Sequence, residues 1–176
     1  MKPARRQYLH LASCTALALA VSGVFQPGTA LAQDAAKQLV GTWQVTGFST
    51  RFLDNNEVVR VFGDRVSGYI QYMPGGHMVT FMVGGDRKAP AAPSTTDAER
   101  AALYNGIFAG YAGTYSVDGN KVIHRIVASW NEAFTGTEQT RYFELDGKKL
   151  TITTAPNVNL RTGRLQSSTF TFEKLE

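Results

Sequence analysis

From Leu39 onward apolar and polar residues alternate with a period of two, and clusters of Gly, Asn, Asp and Pro interrupt the alternation at short intervals. That is the pattern of strands folding back on one another. It predicts strands over Leu39–Ser49, Glu57–Phe62, Val66–Met73, His77–Val83, Tyr111–Val117, Lys121–Trp130, Thr137–Leu145, Lys149–Thr154 and Leu165–Leu175. Asp54-Asn55-Asn56, Gly63-Asp64 and Pro74-Gly75-Gly76 supply reversals. Asp118-Gly119-Asn120 and Asp146-Gly147 are hairpin signals, and a polar loop with Pro156 and Gly163 precedes the last strand. One stretch has no period. Gly84–Thr95 reads as a loop. Thr96 then caps a helix, with Glu99 completing a capping box and Ala98, Ala101, Ala102 and Leu103 as good helix formers. This helix should fade near Ala109-Gly110 and, with its loop, form a flap at one end of a barrel.

Strand parity assigns faces, because alternate residues point to opposite sides. On Lys121–Trp130 the inner face is Val122, His124, Ile126, Ala128 and Trp130. On Thr137–Leu145 it is Gln139, Arg141, Phe143 and Leu145, and on Tyr111–Val117 it is Tyr111, Gly113, Tyr115 and Val117. Three neighbouring strands thus aim Tyr115, His124 and Arg141 into one interior. An inward charge needs an ion pair, water or an anionic ligand.

The N-terminus has another character. Lys2, Arg5 and Arg6 precede an uncharged run from Leu11 to Phe25, and Ala30-Leu31-Ala32 follows. This is the layout of an export signal cleaved after Ala32, with residues 33–176 as the single mature domain. Arg5-Arg6 also admits a twin-arginine route. The expected location is periplasmic or secreted, with no stable membrane anchor in the mature form.

Cleavage changes the charge. The chain has 18 Lys+Arg and 14 Asp+Glu; losing Lys2, Arg5 and Arg6 leaves 15 against 14, a net of +1. No basic patch suggests nucleic acid. The only cysteine, Cys14, leaves with the signal, so disulfide and thiol chemistry are not expected. The mature chain keeps two histidines, His77 and His124, in no metal-ligand spacing. No metal or other cofactor is expected, and the oligomeric state is left open.

Gly41-Thr42-Trp43 opens the first strand. Gly68-Tyr69-Ile70-Gln71-Tyr72, Pro74-Gly75-Gly76-His77-Met78, Tyr111-Ala112-Gly113-Thr114-Tyr115, Val122-Ile123-His124 and Arg141 follow in order. In this series the chain resembles the bacterial and fungal lipocalin-like domain family over nearly its whole mature length. The resemblance implies a closed barrel with an internal ligand cavity; with the pattern above, the expected fold is mainly β, a single antiparallel up-and-down barrel of about eight to ten strands with one short helix between the fourth and fifth strands. It also implies a basic residue from the last strand covering Trp43, and Lys174 is the candidate.

The expected ligand is a small, mostly apolar molecule, with an acidic or phenolic group if Arg141 binds it. Tyr111, Tyr115, His124, Trp130, Arg141 and Met78 are the candidate binding residues; Met73 and Met82 lie nearby in sequence. The alternative is a cofactor-free lyase, isomerase or cyclase acting on a small aromatic or lipid-like compound. There His124 would move a proton while Arg141 and Tyr115 stabilise charge on oxygen. Each residue has a plainer reading: His124 as a core histidine bonded to a hydroxyl, Arg141 paired with Glu132 or Asp64, and the tyrosines as wall.

Overall fold

The computed structural model describes residues 34–90, 95–159 and 162–176, so the expected export signal lies outside the described residues. Among the described residues ten strands form: β1 (Gly41–Phe52), β2 (Val58–Val59), β3 (Val66–Tyr72), β4 (His77–Gly84), β5 (Ile107–Asp118), β6 (Lys121–Ser129), β7 (Glu138–Asp146), β8 (Lys149–Thr154), β9 (Asn157–Val158) and β10 (Leu165–Lys174). The helix Asp97–Asn105 sits between β4 and β5. The sheet order is β2-β1-β3-β4-β5-β6-β7-β8-β10-β9, and β1 also pairs with β10. That last pairing closes eight long antiparallel strands into a barrel, with β2 and β9 as two-residue additions at its rim.

Several elements differ from the expectation, among them β9, which forms where a loop is expected. Glu57–Phe62 contributes only Val58–Val59, which pairs with Thr50 and Arg51. The chain then leaves the sheet, and Phe62 packs into the barrel end instead. The helix has the expected capping box at Thr96 and Glu99 but ends at Asn105, with Gly106 as C-cap, because β5 already pairs with β4 from Ile107. Inner parity on β6 holds through Val122, His124 and Ile126 and then fails. Gly113 pairs with Ile126 and Ala112 with Ala128, so Val127 is an extra residue and Ala128 is turned out to solvent.

The short reversals lie at one end of the barrel, and that end is plugged. Residues 34–39 are helical and bring Leu39 beneath Trp43, whose indole N–H donates to the Leu39 carbonyl at 2.8 Å. The Lys174 ammonium lies 5.0 Å from the Trp43 ring centroid and donates to the Gln38 carbonyl at 3.1 Å. Gly41 holds φ at +134°, and a Cβ there would lie 2.2 Å from the Glu176 carbonyl oxygen. The Gly-x-Trp opening is therefore the crossing point of the chain's C-terminus and the barrel floor.

The longer connections gather at the other end, the helix among them. There Phe48, Phe62, Phe108 and Phe170 pack together, with ring centroids 4.8–6.1 Å apart. Arg164 ties the rim. It donates to both Asp54 carboxylate oxygens at 2.7 and 2.9 Å, and its guanidinium lies 3.6 Å from the Phe52 ring centroid.

Between β5 and β6 the backbones press together at Gly113, where a Cβ would sit 2.0 Å from the Arg125 carbonyl oxygen. Gly119 has open space but φ of +58°. Gly119→Ala should cost about 1–2 kcal/mol, the left-handed penalty alone. Gly113→Ala should cost more, because the ladder itself must shift. Urea unfolding of both variants measures this; equal midpoints would show that the barrel wall relaxes freely at Gly113.

Candidate functional site

Each inward residue stands where its strand and register put it. β5, β6 and β7 are consecutive neighbours, and their inner faces carry Tyr111, His124 and Arg141. β3 reaches the same interior from the opposite wall with Tyr72. His124 is 1% exposed and lies between two phenols: the Tyr72 hydroxyl is 2.8 Å from Nε2 and the Tyr111 hydroxyl is 3.0 Å from Nδ1.

Arg141 stands beside this group. Its Nη1 donates to the Thr140 carbonyl at 3.1 Å and its Nη2 to Gln139 Oε1 at 3.2 Å. Gln139 Nε2 in turn donates to Thr137 Oγ1 at 3.1 Å. Neither carboxylate considered as a structural partner is there: Asp64 pairs with Arg60, and Glu132 accepts from Thr135. Among the described residues no carboxylate makes an ion pair with Arg141. A positive charge thus faces an interior compensated only by neutral dipoles.

The charge and the burial set the titration of the neighbours. Burial, reinforced by Arg141, holds His124 from 6.5 down to about 3. Burial pushes the Tyr72 and Tyr111 hydroxyls above their ordinary 10, and Arg141 partly opposes this at both. The ring and both phenols are therefore neutral near pH 7.

A small cavity borders this group, lined by Tyr111, His124, Arg141, Ile70, Met82, Ile152, Phe170 and Phe172. About 10 Å³ of it is free, room for roughly one water. Its polar atoms lie on the β5–β6–β7 side, and aliphatic, thioether and aromatic groups form the rest.

Of the residues singled out from sequence, Tyr111, His124 and Arg141 come together around this cavity. Tyr115 points inward but donates its hydroxyl to the Met73 carbonyl at 3.1 Å, packing edge-on against Tyr72. Met78 is buried in the core, and it is Met82 that reaches the cavity. Trp130 lies past the extra residue in β6, against Gly110 and 4.6 Å from the Tyr104 ring of the helix. Its indole N–H is out of water and has no acceptor among the described residues. His77 is exposed at the start of β4. The sequence reading missed Tyr72 as a site residue. Its signal was the alternation Ile70, Tyr72 on the inner face of β3.

The depressed His124 pKa carries a sign. Between about pH 3 and 6.5 the unfolded chain binds one proton more than the folded one. Stability from this group is complete above pH 6.5 and is lost as pH falls toward 3, at about 1.4 kcal/mol per pH unit. Tyr72 on β3, Tyr111 on β5 and Arg141 on β7 face the ring, and none supplies a negative charge in this range. His124→Gln should cost on the order of 1 kcal/mol at pH 7.5 and flatten the decline between pH 6.5 and 4. Urea midpoints across that range measure it; a variant as acid-sensitive as the wild type would show that His124 is not held neutral.

Comparison with curated proteins finds no match to the chain. A family model does match: the lipocalin-like domain, over residues 40–175, from the strand that carries Trp43 to the end of the last one. With a closed eight-stranded barrel, a tryptophan floor under a basic side chain and an interior cavity, the chain belongs to the lipocalin-like domain family.

Proposed function

We propose that the mature domain binds a small, mostly apolar molecule with one acidic or phenolic group in the barrel interior. A lipocalin-like barrel is a binding fold in general. The single observation that carries the finer reading is Arg141, charged, facing the cavity and without a carboxylate partner among the described residues. An anion entering this cavity gains a charge-assisted hydrogen bond and meets a half-buried positive charge, while Ile70, Ile152, Phe170 and Phe172 take its apolar body. The same body ending in a neutral group gains only the second part.

One observation favours an enzymatic reading beside it. Tyr72, His124 and Tyr111 form a continuous hydrogen-bonded chain. In a cofactor-free lyase, isomerase or cyclase, this chain would move a proton while Arg141 stabilises charge developing on oxygen. Mass spectrometry of small molecules carried by the natively purified protein separates the two. An acid or phenol recovered unchanged after incubation favours carriage; its conversion favours catalysis.

We also propose export, from the charged start, apolar run and Ala30-Leu31-Ala32 of the N-terminus. N-terminal sequencing of the exported protein should begin at or near Gln33; Met1 retained on protein from a cytoplasmic fraction would refute it.

Calorimetry with decanoate and 1-decanol, matched in length, tests the binding reading. The wild type should prefer decanoate. Arg141→Met should weaken decanoate by about tenfold to a hundredfold, the loss of a hydrogen bond to a charged group, and leave 1-decanol within about threefold. Equal losses for both, in a variant that still melts cooperatively, would place the binding site elsewhere.

A further inference from the structure

The hydrogen-bond chain at the cavity contains one proton more than it can use. A neutral imidazole carries one N–H, and Tyr72 and Tyr111 carry one O–H each. The two contacts, Tyr72 hydroxyl to Nε2 at 2.8 Å and Tyr111 hydroxyl to Nδ1 at 3.0 Å, consume one proton apiece. One hydroxyl hydrogen is left over, and the tautomer of His124 decides whose it is.

With the ring proton on Nε2, it donates to the Tyr72 oxygen and Tyr111 donates to Nδ1. The surplus O–H then belongs to Tyr72. That side chain is 1% exposed, does not border the cavity, and makes no other hydrogen bond among the described residues. Its hydrogen would be stranded in the core at the full desolvation penalty. With the ring proton on Nδ1, the order reverses. Tyr72 donates to Nε2, Nδ1–H donates to the Tyr111 oxygen, and the surplus O–H belongs to Tyr111. Tyr111 borders the cavity beside Arg141. Only this arrangement gives every buried donor a place to be satisfied.

The acceptors nearby are already engaged. Gln139 Oε1 and the Thr140 carbonyl take Arg141, and the Tyr111 oxygen takes Nδ1–H. The other lining side chains, Ile70, Met82, Ile152, Phe170 and Phe172, offer at most a weak thioether acceptor. What faces the free space is the Tyr111 O–H and the remaining N–H groups of Arg141.

We infer that the cavity presents hydrogen-bond donors only, and that it takes a bare acceptor oxygen, as in a carboxylate, phenolate or conjugated carbonyl, between Tyr111 and Arg141. This rests on the cavity being the binding site, and it deepens that reading. Acidity alone is not the criterion. A neutral ketone satisfies both donors, whereas an alcohol brings a hydrogen for which the site has no acceptor. Tyr72 acts as a positioning residue: its donation to Nε2 fixes the proton on Nδ1 and so turns the Tyr111 hydrogen toward the cavity.

Two measurements test this. In ligand-free protein labelled with ¹⁵N-histidine, long-range ¹H–¹⁵N spectra at pH 7 should show His124 as the Nδ1–H tautomer. The Nε2–H tautomer would overturn the inference whatever the protein binds, and this readout needs no variant to fold. In calorimetry, wild type should bind 2-undecanone more tightly than 1-decanol. Tyr111→Phe, which keeps the ring, should weaken 2-undecanone by about threefold to tenfold, one neutral hydrogen bond, and decanoate by about tenfold or more, because its acceptor is charged. A preference for the alcohol, or a ketone indifferent to Tyr111→Phe, would overturn it. If the wild type binds none of the three, the cavity reading fails while the tautomer still reports on the donor arrangement.

Discussion

Everything in this molecule depends on β1 pairing on both sides. It bonds to β3 through Gly41–Gln44 and to β10 along most of its length, so the sheet has no free long edge and acquires an inside. That closure imposes local demands. The C-terminus crosses at Gly41, where no side chain fits against the Glu176 carbonyl. The β1–β10 register slips between Val45 and Gly47, and β6 carries an extra residue at Val127. Bulges of this kind bend strands enough to complete a ring. Closure also fixes the dielectric problem of the site, because whatever polar groups point inward must satisfy one another.

They do so unevenly. Thr50 and Ser168 share a hydrogen bond at 3.1 Å, and Thr154 Oγ1 accepts from the Ser168 amide at 2.9 Å, a self-contained polar patch. His124 is satisfied at both nitrogens. Arg141 is different in kind, since its amide and carbonyl partners meet its hydrogens without cancelling its charge. A half-buried charge that meets only neutral partners keeps part of its desolvation cost.

Much of this was legible in the sequence because turns and alternation are local signals. Asp118-Gly119-Asn120 and Asp146-Gly147 mark hairpins that form where expected, and Thr96 with Glu99 marks the helix start. Parity placed His124, Arg141 and Tyr111 on inner faces. It failed beyond Ile126, because an inserted strand residue leaves no local trace yet reverses every side chain after it; Trp130 was misplaced for that reason. Glu57–Phe62 alternates like a strand, but a strand also needs a partner, and β1 offers one for two residues only. Tyr72 was hidden differently. Nothing in its own strand says that its hydroxyl will meet a histidine 52 residues away. Likewise Tyr115, directly across from His124 in the ladder, spends its hydroxyl on Met73.

The four phenylalanines at the end opposite Trp43 bear on how the proposed guest would enter. Phe48, Phe62, Phe108 and Phe170 come from β1, the segment after β2, β5 and β10, and they interlock above a cavity with room for about one water. If the interior binds a guest larger than that, as proposed, the rings must part to admit it. Such a guest would meet a conformer in which the rings have parted. The apparent dissociation constant then exceeds the intrinsic one by the reciprocal of that conformer's population. Association would be paced by ring rearrangement rather than by collision, and once the rings reclosed over a guest, escape would wait on the same event. A barrel built this way would trade speed of exchange for long residence.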